Sequence, residues 1–226
     1  MPHPALAPGG ALGRLVRRQC LSLTALCGAA LTSPLAAQLP ALSLDASVGA
    51  KSGAQRVAAS VWYPVAHLGG RLDLRLGVRG SAYAGDPIDY TNRGTVQGSL
   101  VPSVTIDPAV YALNGAVYGE LRLSDPAALG ANLDLVGVAV GPARTAGSLA
   151  EKPQAFSYFR YGSADHGALN SEFFVSLRVA SRVQVRGGAS HYVTNYTVTE
   201  IAAVGAPSSR YQKFQTVPFI AVRLRP

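Results

Sequence analysis

The chain has almost no cysteine, and both of its cysteines, Cys20 and Cys27, lie near the start of its 226 residues. Without the first 37 residues the chain would have none, which excludes disulfide bonds and thiol chemistry. After residue 37 no apolar run approaches the roughly 18 residues of a membrane-spanning helix. A closed β-barrel crosses a membrane without helices, because paired strands satisfy every backbone polar group.

Strong charge of either sign is also lacking. Arg14, Arg17 and Arg18 are three of the 20 basic residues, and beyond residue 37 the net charge is about +5. No cluster of arginines interleaved with aromatic residues occurs. Nucleic acid is therefore not expected as a partner.

The first 37 residues have the order of a secretory signal peptide. Residues 1–19 contain three arginines and no acid, residues 20–31 form an apolar run, and Ala36 and Ala37 follow. A run of about a dozen residues is too short to cross a bilayer about 30 Å thick at about 1.5 Å per residue. We therefore predict a cleaved signal over 1–37 and one domain over 38–226.

The stretch 169–196 carries the pattern that recurs through the chain. Apolar residues alternate with polar ones on both sides of a short turn at 180–182, so that Glu172, Ser176, Arg178, Gln184 and Arg186 face away from Phe173, Val175, Leu177, Val179, Val183 and Val185. Successive side chains of a strand leave opposite faces, so this pattern predicts an amphipathic β-hairpin.

The same alternation predicts six further strands, over 42–51, 56–63, 71–83, 113–124, 131–141 and 213–224. We expect the second strand to stop at Pro64 and the last to break or bulge at Pro218, because proline donates no ladder hydrogen bond. Alternation is lost at Val136, Val138 and Val140. A bulge or apolar packing on the inner face would each account for this.

Loop lengths alternate from the second strand onward. Short connections are predicted at 65–70, 125–130 and 180–182, and long ones at 85–109, 142–168 and 197–212; the first connection, 52–55, is short and breaks the pattern. In an up-and-down barrel the short connections would share the side of the termini. Short periplasmic turns and long extracellular loops are typical of outer-membrane barrels.

These features resemble the small eight-stranded outer-membrane β-barrel proteins of Gram-negative bacteria, the group with the OmpX-like and OmpA-like barrels. The phrases 132–137 and 169–174 are similar to those of outer-membrane barrel proteins of the Bacteroidetes type. The resemblance implies an all-β, eight-stranded antiparallel up-and-down transmembrane β-barrel, located in the cell outer membrane as a monomer. The lipid bilayer and the barrel assembly machinery would be its partners. The chain departs from many such barrels by ending Arg223-Leu224-Arg225-Pro226 rather than in an aromatic residue.

Charged residues on the predicted inner face admit a functional interpretation, a selective pore or substrate site, and a structural one, an ion-pair network. Eight strands leave an interior just wide enough for side chains, which favours the network and a plugged lumen. Basic residues outnumber acids in this set, so we expect waters or loop acids to complete it. The set is Asp45, Lys51, Arg56, Asp73, Arg75, Arg79, Glu120, Arg122, Asp134, Glu172, Arg178, Arg186 and Arg223.

An enzyme is the alternative raised by Ser190, His191 and Glu200. Some eight-stranded outer-membrane barrels are lipid A deacylases, which use a serine, a histidine and a glutamate. Neighbouring strand residues face opposite ways, however, so Ser190 and His191 would share a site only if the strand had ended. We expect His191 to be an interfacial residue instead.

The other candidate features are interpreted structurally. His67 and His166 lack metal-ligand spacing, and Gly77, Gly119, Gly137 and Gly187 are interpreted as curvature points. An aromatic girdle is predicted for Trp62, Tyr63, Tyr83, Tyr111, Tyr192 and Tyr196. The sequence thus predicts no catalytic, cofactor-binding or metal-binding residue.

The function expected is structural, adhesive or loop-mediated binding without catalysis. An extracellular ligand or surface would be contacted through 85–109, 142–168 and 197–212. The remaining alternative is a soluble secreted barrel of the lipocalin kind, which would bury the apolar faces inside and hold a ligand there. Alternation alone does not separate inside from outside.

Overall fold

A computed structural model describes residues 42–93, 102–160, 163–201 and 208–225. The predicted signal peptide lies outside these residues. None of the described residues forms a helix with the length and apolar character needed to cross a membrane. They form fourteen strands, β1 (Ser43–Lys51), β2 (Ala54–Leu68), β3 (Leu72–Gly85), β4 (Ile88–Asn92), β5 (Ser103–Ile106), β6 (Ala109–Arg122), β7 (Ala127–Val140), β8 (Arg144–Ala146), β9 (Leu149–Pro153), β10 (Phe156–Arg160), β11 (Ser163–His166), β12 (Ala168–Arg178), β13 (Val183–Glu200) and β14 (Ser208–Leu224).

Eight of these strands close into a ring. Each pairs antiparallel with the next in the order β1, β2, β3, β6, β7, β12, β13 and β14. The last strand, β14, pairs antiparallel with β1 and completes the ring. The eight predicted strands and their all-β, antiparallel order are confirmed.

The two ends of the ring differ in their connections. At one end, here the turn end, β1 begins, β14 ends, and the ring strands are joined by 69–71, 123–126 and 179–182. The opposite loop end carries most of the remaining chain, together with the two-residue turn Ser52-Gly53. Gly53 has φ 72°, a left-handed conformation that glycine adopts without strain.

The loop end contains more strand than alternation predicts. The hairpin β4–β5 pairs with β14, β8–β9 pairs with β13, and β10–β11 pairs with β7. These strands are three to five residues long. The prediction of 85–109 and 142–168 as loops was therefore wrong in part, because segments this short show no clear period. The same holds for 197–212, into which β13 and β14 extend.

A bulge explains the loss of alternation in β7. Gly115 pairs with Val136 and the next residue, Ala116, pairs with Asp134, so Leu135 is an extra residue on β7. Before it, even-numbered residues such as Asp134 are buried; after it, Val136 is exposed and Ala139 is buried. One inserted residue reverses which parity faces inward.

Both prolines behave differently from expectation. Strand β2 continues past Pro64 to Leu68, with a register shift between Pro64 and Ala66. Strand β14 runs unbroken through Pro218, which pairs with Ala189 of β13. Pairing of β14 with β1 reaches only Phe219. At Pro218 strand β14 is paired only with β13, so the missing N–H of proline costs no hydrogen bond to β1 and the strand does not have to break.

The outer surface of the ring is an apolar belt. Large apolar side chains from seven of the eight ring strands are 41–65% exposed. The opposite face of each strand points inward and carries the polar residues. Apolar side chains thus face outward and polar ones inward, the reverse of a soluble ligand-binding barrel. The belt includes Val48, Val61, Leu76, Val78, Leu113, Leu121, Leu129, Val138, Phe173, Val175, Leu177, Ile220 and Val222.

Candidate functional site

The interior of the ring holds a cluster of eight buried charges, here the interior charge cluster. It contains four arginines and four acids, none more than 5% exposed. The predicted excess of basic residues is therefore wrong for the buried part of the set, where the formal charges balance. The members are Asp45, Arg56, Arg79, Glu120, Asp134, Glu172, Arg186 and Arg223.

The other five members of the predicted set lie nearer the strand ends. Lys51 and Arg178 are exposed, and Asp73, Arg75 and Arg122 are half-buried. Strand ends reach solvent because the ring wall stops there. Alternation assigns a side chain to a face and carries no information about its height along the ring.

Asp45 joins the first and last strands of the ring. Its carboxylate accepts hydrogen bonds from Arg223 Nε at 3.2 Å and Nη2 at 2.8 Å. Arg186 Nη2 lies 2.8 Å from Asp45 Oδ2, and Trp62 Nε1 donates to the same oxygen at 2.8 Å. One carboxylate thus compensates two guanidinium groups and satisfies the indole.

Glu172 is the second centre of the cluster. Arg56 Nη1 lies 2.7 Å from its Oε1, and Arg79 and Arg186 lie 3.6 Å and 3.8 Å from its Oε2. Asn132 donates to Oε2 at 2.6 Å. The glutamate, on β12, therefore meets one cation from its neighbour β13 and two from β2 and β3, which do not pair with β12.

Asp134 compensates Arg79 on the other side. Arg79 Nη1 lies 3.0 Å from Asp134 Oδ1. The second oxygen, Oδ2, accepts from Asn114 Nδ2 at 2.9 Å and from the backbone N–H of Asn170 at 3.0 Å. Asp134 immediately precedes the bulged Leu135. It is the last residue of β7 before the inward-facing parity changes, and its side chain contacts Arg79.

Glu120 completes the cluster toward the turn end. Tyr118 donates to Glu120, as does Gln184 Nε2 at 3.0 Å. Arg225 Nη2 lies 2.7 Å from Glu120 Oε1, and Arg223 Nη1 lies 3.6 Å from Oε2. Arg225, one residue past β14, was missing from the predicted charged set, although the odd parity that it shares with the inward Arg223 identifies it.

Aromatic rings fill the space between the arginines. Arg186 lies over Phe174 at 4.5 Å and Arg223 over Tyr118 at 4.0 Å, measured to the ring centroids. Arg79 lies 5.7 Å from the Trp62 ring and Arg56 lies 5.4 Å from the Phe219 ring. Cation–π contact stabilises a guanidinium group that is shielded from water.

The girdle prediction is wrong for four of its six residues. Trp62, Tyr83, Tyr192 and Tyr196 are at most 3% exposed and belong to the interior. Tyr63 and Tyr111 are exposed, at 56% and 41%. Alternation already indicated the inward position of two buried residues, because Trp62 shares a face with Arg56 and Tyr83 shares one with Arg79. Their location near strand ends does not move them to the outer face.

Tyrosines close the interior at the loop end. Tyr83 and Tyr192 stack with ring centroids 4.8 Å apart, and Tyr90 meets Tyr196 edge-on at 5.3 Å. The Tyr90 hydroxyl hydrogen-bonds Thr194 Oγ1 at 2.7 Å. Tyr90 belongs to β4, so a strand outside the ring supplies part of this layer.

Ser190 and His191, two residues of the enzyme alternative, lie on opposite faces of β13. Ser190 is buried and donates to Asn170 Oδ1 at 2.6 Å inside the ring. His191 lies on the outer face, where its Nδ1 is 2.9 Å from Thr216 Oγ1 and its ring stacks on the exposed Phe214. Strand β13 continues to Glu200, so the two face opposite ways. The described residues contain no group of three His, Cys, Asp or Glu that would hold a metal.

A groove of about 630 Å³ lies at the loop end. Its lining includes Lys152, Gln154, Tyr158, His166 and Thr197. His166 Nδ1 lies 3.1 Å from Gln154 Oε1, and the imidazole packs against Tyr158 at 4.6 Å. Most of the lining is apolar, with a cation and hydroxyl groups among the aromatic rings, a set suited to contact with a ligand that has both apolar and polar parts.

Comparison with known proteins identifies a weak structural neighbour. No family model matches the chain, and no curated protein matches it. Among solved structures the chain is similar to the toluene transporter TbuX of Ralstonia pickettii, at 12% identity and a TM-score of 0.18. That match covers 76% of this chain and 67% of the transporter. It is a weak structural neighbour.

Proposed function

We propose that the chain is an outer-membrane β-barrel protein with a filled interior, and that its role is structural or adhesive, by binding through the loop end. The observation that carries this proposal is the apolar belt, which faces outward around a ring whose charges face inward. Exposed apolar side chains on this scale are costly in water and favourable in lipid.

The dimensions of the ring suit a bilayer. Strand β1 has nine residues, which extend about 30 Å at about 3.3 Å per residue. A tilt of about 40° reduces this to about 23 Å, close to the apolar band of about 25 Å in outer-membrane barrels. Closed pairing also leaves no ring strand with an unpaired edge in lipid.

The interior supports a structural role over conduction. Four buried arginines are neutralised by four acids and stacked on aromatic rings, and the tyrosines close the loop end. An eight-stranded interior filled in this way leaves little room for a solute. We therefore propose no transport through the ring and no catalysis.

Binding is proposed for the loop end. The hairpin β4–β5, the hairpin β8–β9 and the hairpin β10–β11 project there, and the groove lined by Lys152 and Tyr158 lies among them. In this proposal the turn end faces the periplasm. The barrel assembly machinery would insert the chain as a monomer.

Cell fractionation with a gel-mobility assay tests the proposal. We expect the protein in the outer-membrane fraction, released only by detergent, with an unboiled band that migrates differently from the boiled one. A closed sheet with a filled interior resists unfolding by the gel detergent until it is heated. Recovery as a soluble periplasmic species with one band under both conditions would overturn the proposal.

A further inference from the structure

Arginines surround the turn end. Arg71 lies in the first short connection, Arg122 closes β6, and Arg178 and Arg182 flank the connection to β13. Arg71, Arg178 and Arg182 are exposed and Arg122 is half-buried. These four are named the turn-end arginines. All three short connections contribute, so the positive charge surrounds the ring instead of lying on one side.

The turn-end arginines have no acidic partner in the described part of the chain. None of them takes part in the ion pairs that Asp73 and Glu120 form at this end, which involve His67, Arg75, Arg223 and Arg225. Asp125 is exposed and is the acid of the short connections. Four cations against one exposed acid leave a formal excess of about three positive charges.

The loop end has a different balance. Arg144 pairs there with Asp107, and Asp86 and Asp89 are exposed acids close to the ring. Lys51, Arg93 and Lys152 are exposed cations at that end. Its exposed groups therefore have a formal excess of about one positive charge, smaller than that of the turn-end arginines.

Two of the turn-end arginines, Arg122 and Arg178, border the apolar belt. Arg122 precedes Leu123, which is 61% exposed, and Arg178 lies between Leu177 and Val179, which are 50% and 61% exposed. The positive charge thus begins where the apolar surface stops. In a bilayer that level is occupied by the phosphates of the lipid headgroups.

We propose that the turn-end arginines bind the phosphates of anionic glycerophospholipids in the leaflet that surrounds the turn end. A guanidinium group matches a phosphate with two parallel N–H donors, and its apolar stem rests on the belt beside it. The inference rests on the membrane location proposed above and adds a lipid class and an orientation to it.

Native mass spectrometry of the detergent-purified protein tests the inference, with equal amounts of phosphatidylglycerol and phosphatidylcholine added. We expect the unmodified protein to retain phosphatidylglycerol preferentially. The triple variant R71Q/R178Q/R182Q should bind it at least about tenfold more weakly, since each basic residue near a lipid surface contributes about 1 kcal/mol. The matched control K51Q/R93Q/K213Q removes three cations from the loop end, two exposed and one half-buried, and should keep the preference.

Two results would overturn the inference. One is equal retention of both lipids by the unmodified protein, and the other is the same loss in both triple variants, which would mean nonspecific attraction to net charge. Both results leave the membrane proposal intact, because the protein must first be shown to require detergent. A protein that stays soluble without detergent contradicts the membrane proposal itself.

Discussion

Trp62 of β2 lies over Gly77 of β3, its direct partner across the strand pair. A Cβ atom at Gly77 would lie 2.2 Å from the backbone oxygen of Val61 and 2.5 Å from Cε3 of the indole, both closer than real Cβ contacts. The missing side chain lets the indole lie flat against the neighbouring strand and reach Asp45. Gly77 was interpreted from the sequence as a curvature point, but its role in the structure is to leave space for the Trp62 ring.

Replacing Gly77 with alanine should displace Trp62 and weaken its bond to Asp45. We expect a loss of about 1–3 kcal/mol in the free energy of unfolding, as for other overpacked interiors. Chemical denaturation of the refolded protein in detergent, followed by circular dichroism, measures it. Gly80 of the same strand is the control, because its added Cβ meets nothing within 4 Å. Equal losses of stability in G77A and G80A would contradict this role of Gly77.

Removing the charge of Asp45 should cost more than any surface change. Asp45→Asn leaves Arg186 and Arg223 without the carboxylate that lies 2.8 Å from each. Loss of one partner of a buried ion pair typically costs about 3–5 kcal/mol. The same denaturation assay applies, with the exposed Asp125→Asn as control, which should change stability by less than about 0.5 kcal/mol. A D45N protein as stable as D125N would mean that the two guanidinium groups are compensated elsewhere.

A cation in the apolar belt distinguishes lipid from water. Val48→Arg places a charge near the middle of β1, and Leu68→Arg places one at the turn end; the two side chains are 51% and 53% exposed. In lipid vesicles V48R should lose about 2–4 kcal/mol and L68R at most about 1 kcal/mol. Folding equilibria in vesicles provide the measurement. In a protein surrounded by water both exposed sites would tolerate arginine. Two small and equal losses of stability would therefore contradict contact between the apolar belt and lipid.

Glu151 should make the β8–β9 hairpin sensitive to pH. It lies at the loop end, outside the belt, and burial raises the pKa of its carboxyl group, opposed by Arg144. A raised pKa in the folded state favours the protonated form, so stability is present below the unfolded pKa of about 4.3 and is lost as the pH rises through the folded value.

Hydrogen exchange of the β8–β9 amides tests this prediction. Glu151→Gln should slow exchange at neutral pH, and the difference from the unmodified chain should shrink as the pH falls to about 4. Asp89→Asn, an exposed acid on β4, serves as control and should leave these amides unchanged. A difference that persists at low pH would assign the effect to side-chain shape and not to titration.

Much of the ring could be predicted from alternation alone. In a sheet with one apolar and one polar face every strand repeats the pattern, so strand number, order and inward charges such as Arg56 and Glu172 follow. The β7 bulge showed only as lost alternation at Val136. Choosing between a bulge and apolar packing required the pairing register.

The contacts of the interior could not be predicted. Glu172 meets Arg56, Arg79 and Arg186 because the stagger of the ring brings separate strands to one height, and stagger is not encoded in the period of any single strand. The outer hairpins were missed for a different reason. They are too short for a period to appear, and the position of Tyr90 on β4 depends on a contact with Thr194, 104 residues away.

The pairing of β1 with β14 also sets an order of events in time. Asp45 and Arg223 are 178 residues apart, so the ring closes only after both β1 and β14 have been synthesised. Contacts this distant in sequence make folding slow, and until closure the belt and the uncompensated arginines are exposed on the same chain. A copy whose last strand has not yet formed therefore exposes apolar and charged surface that favours aggregation.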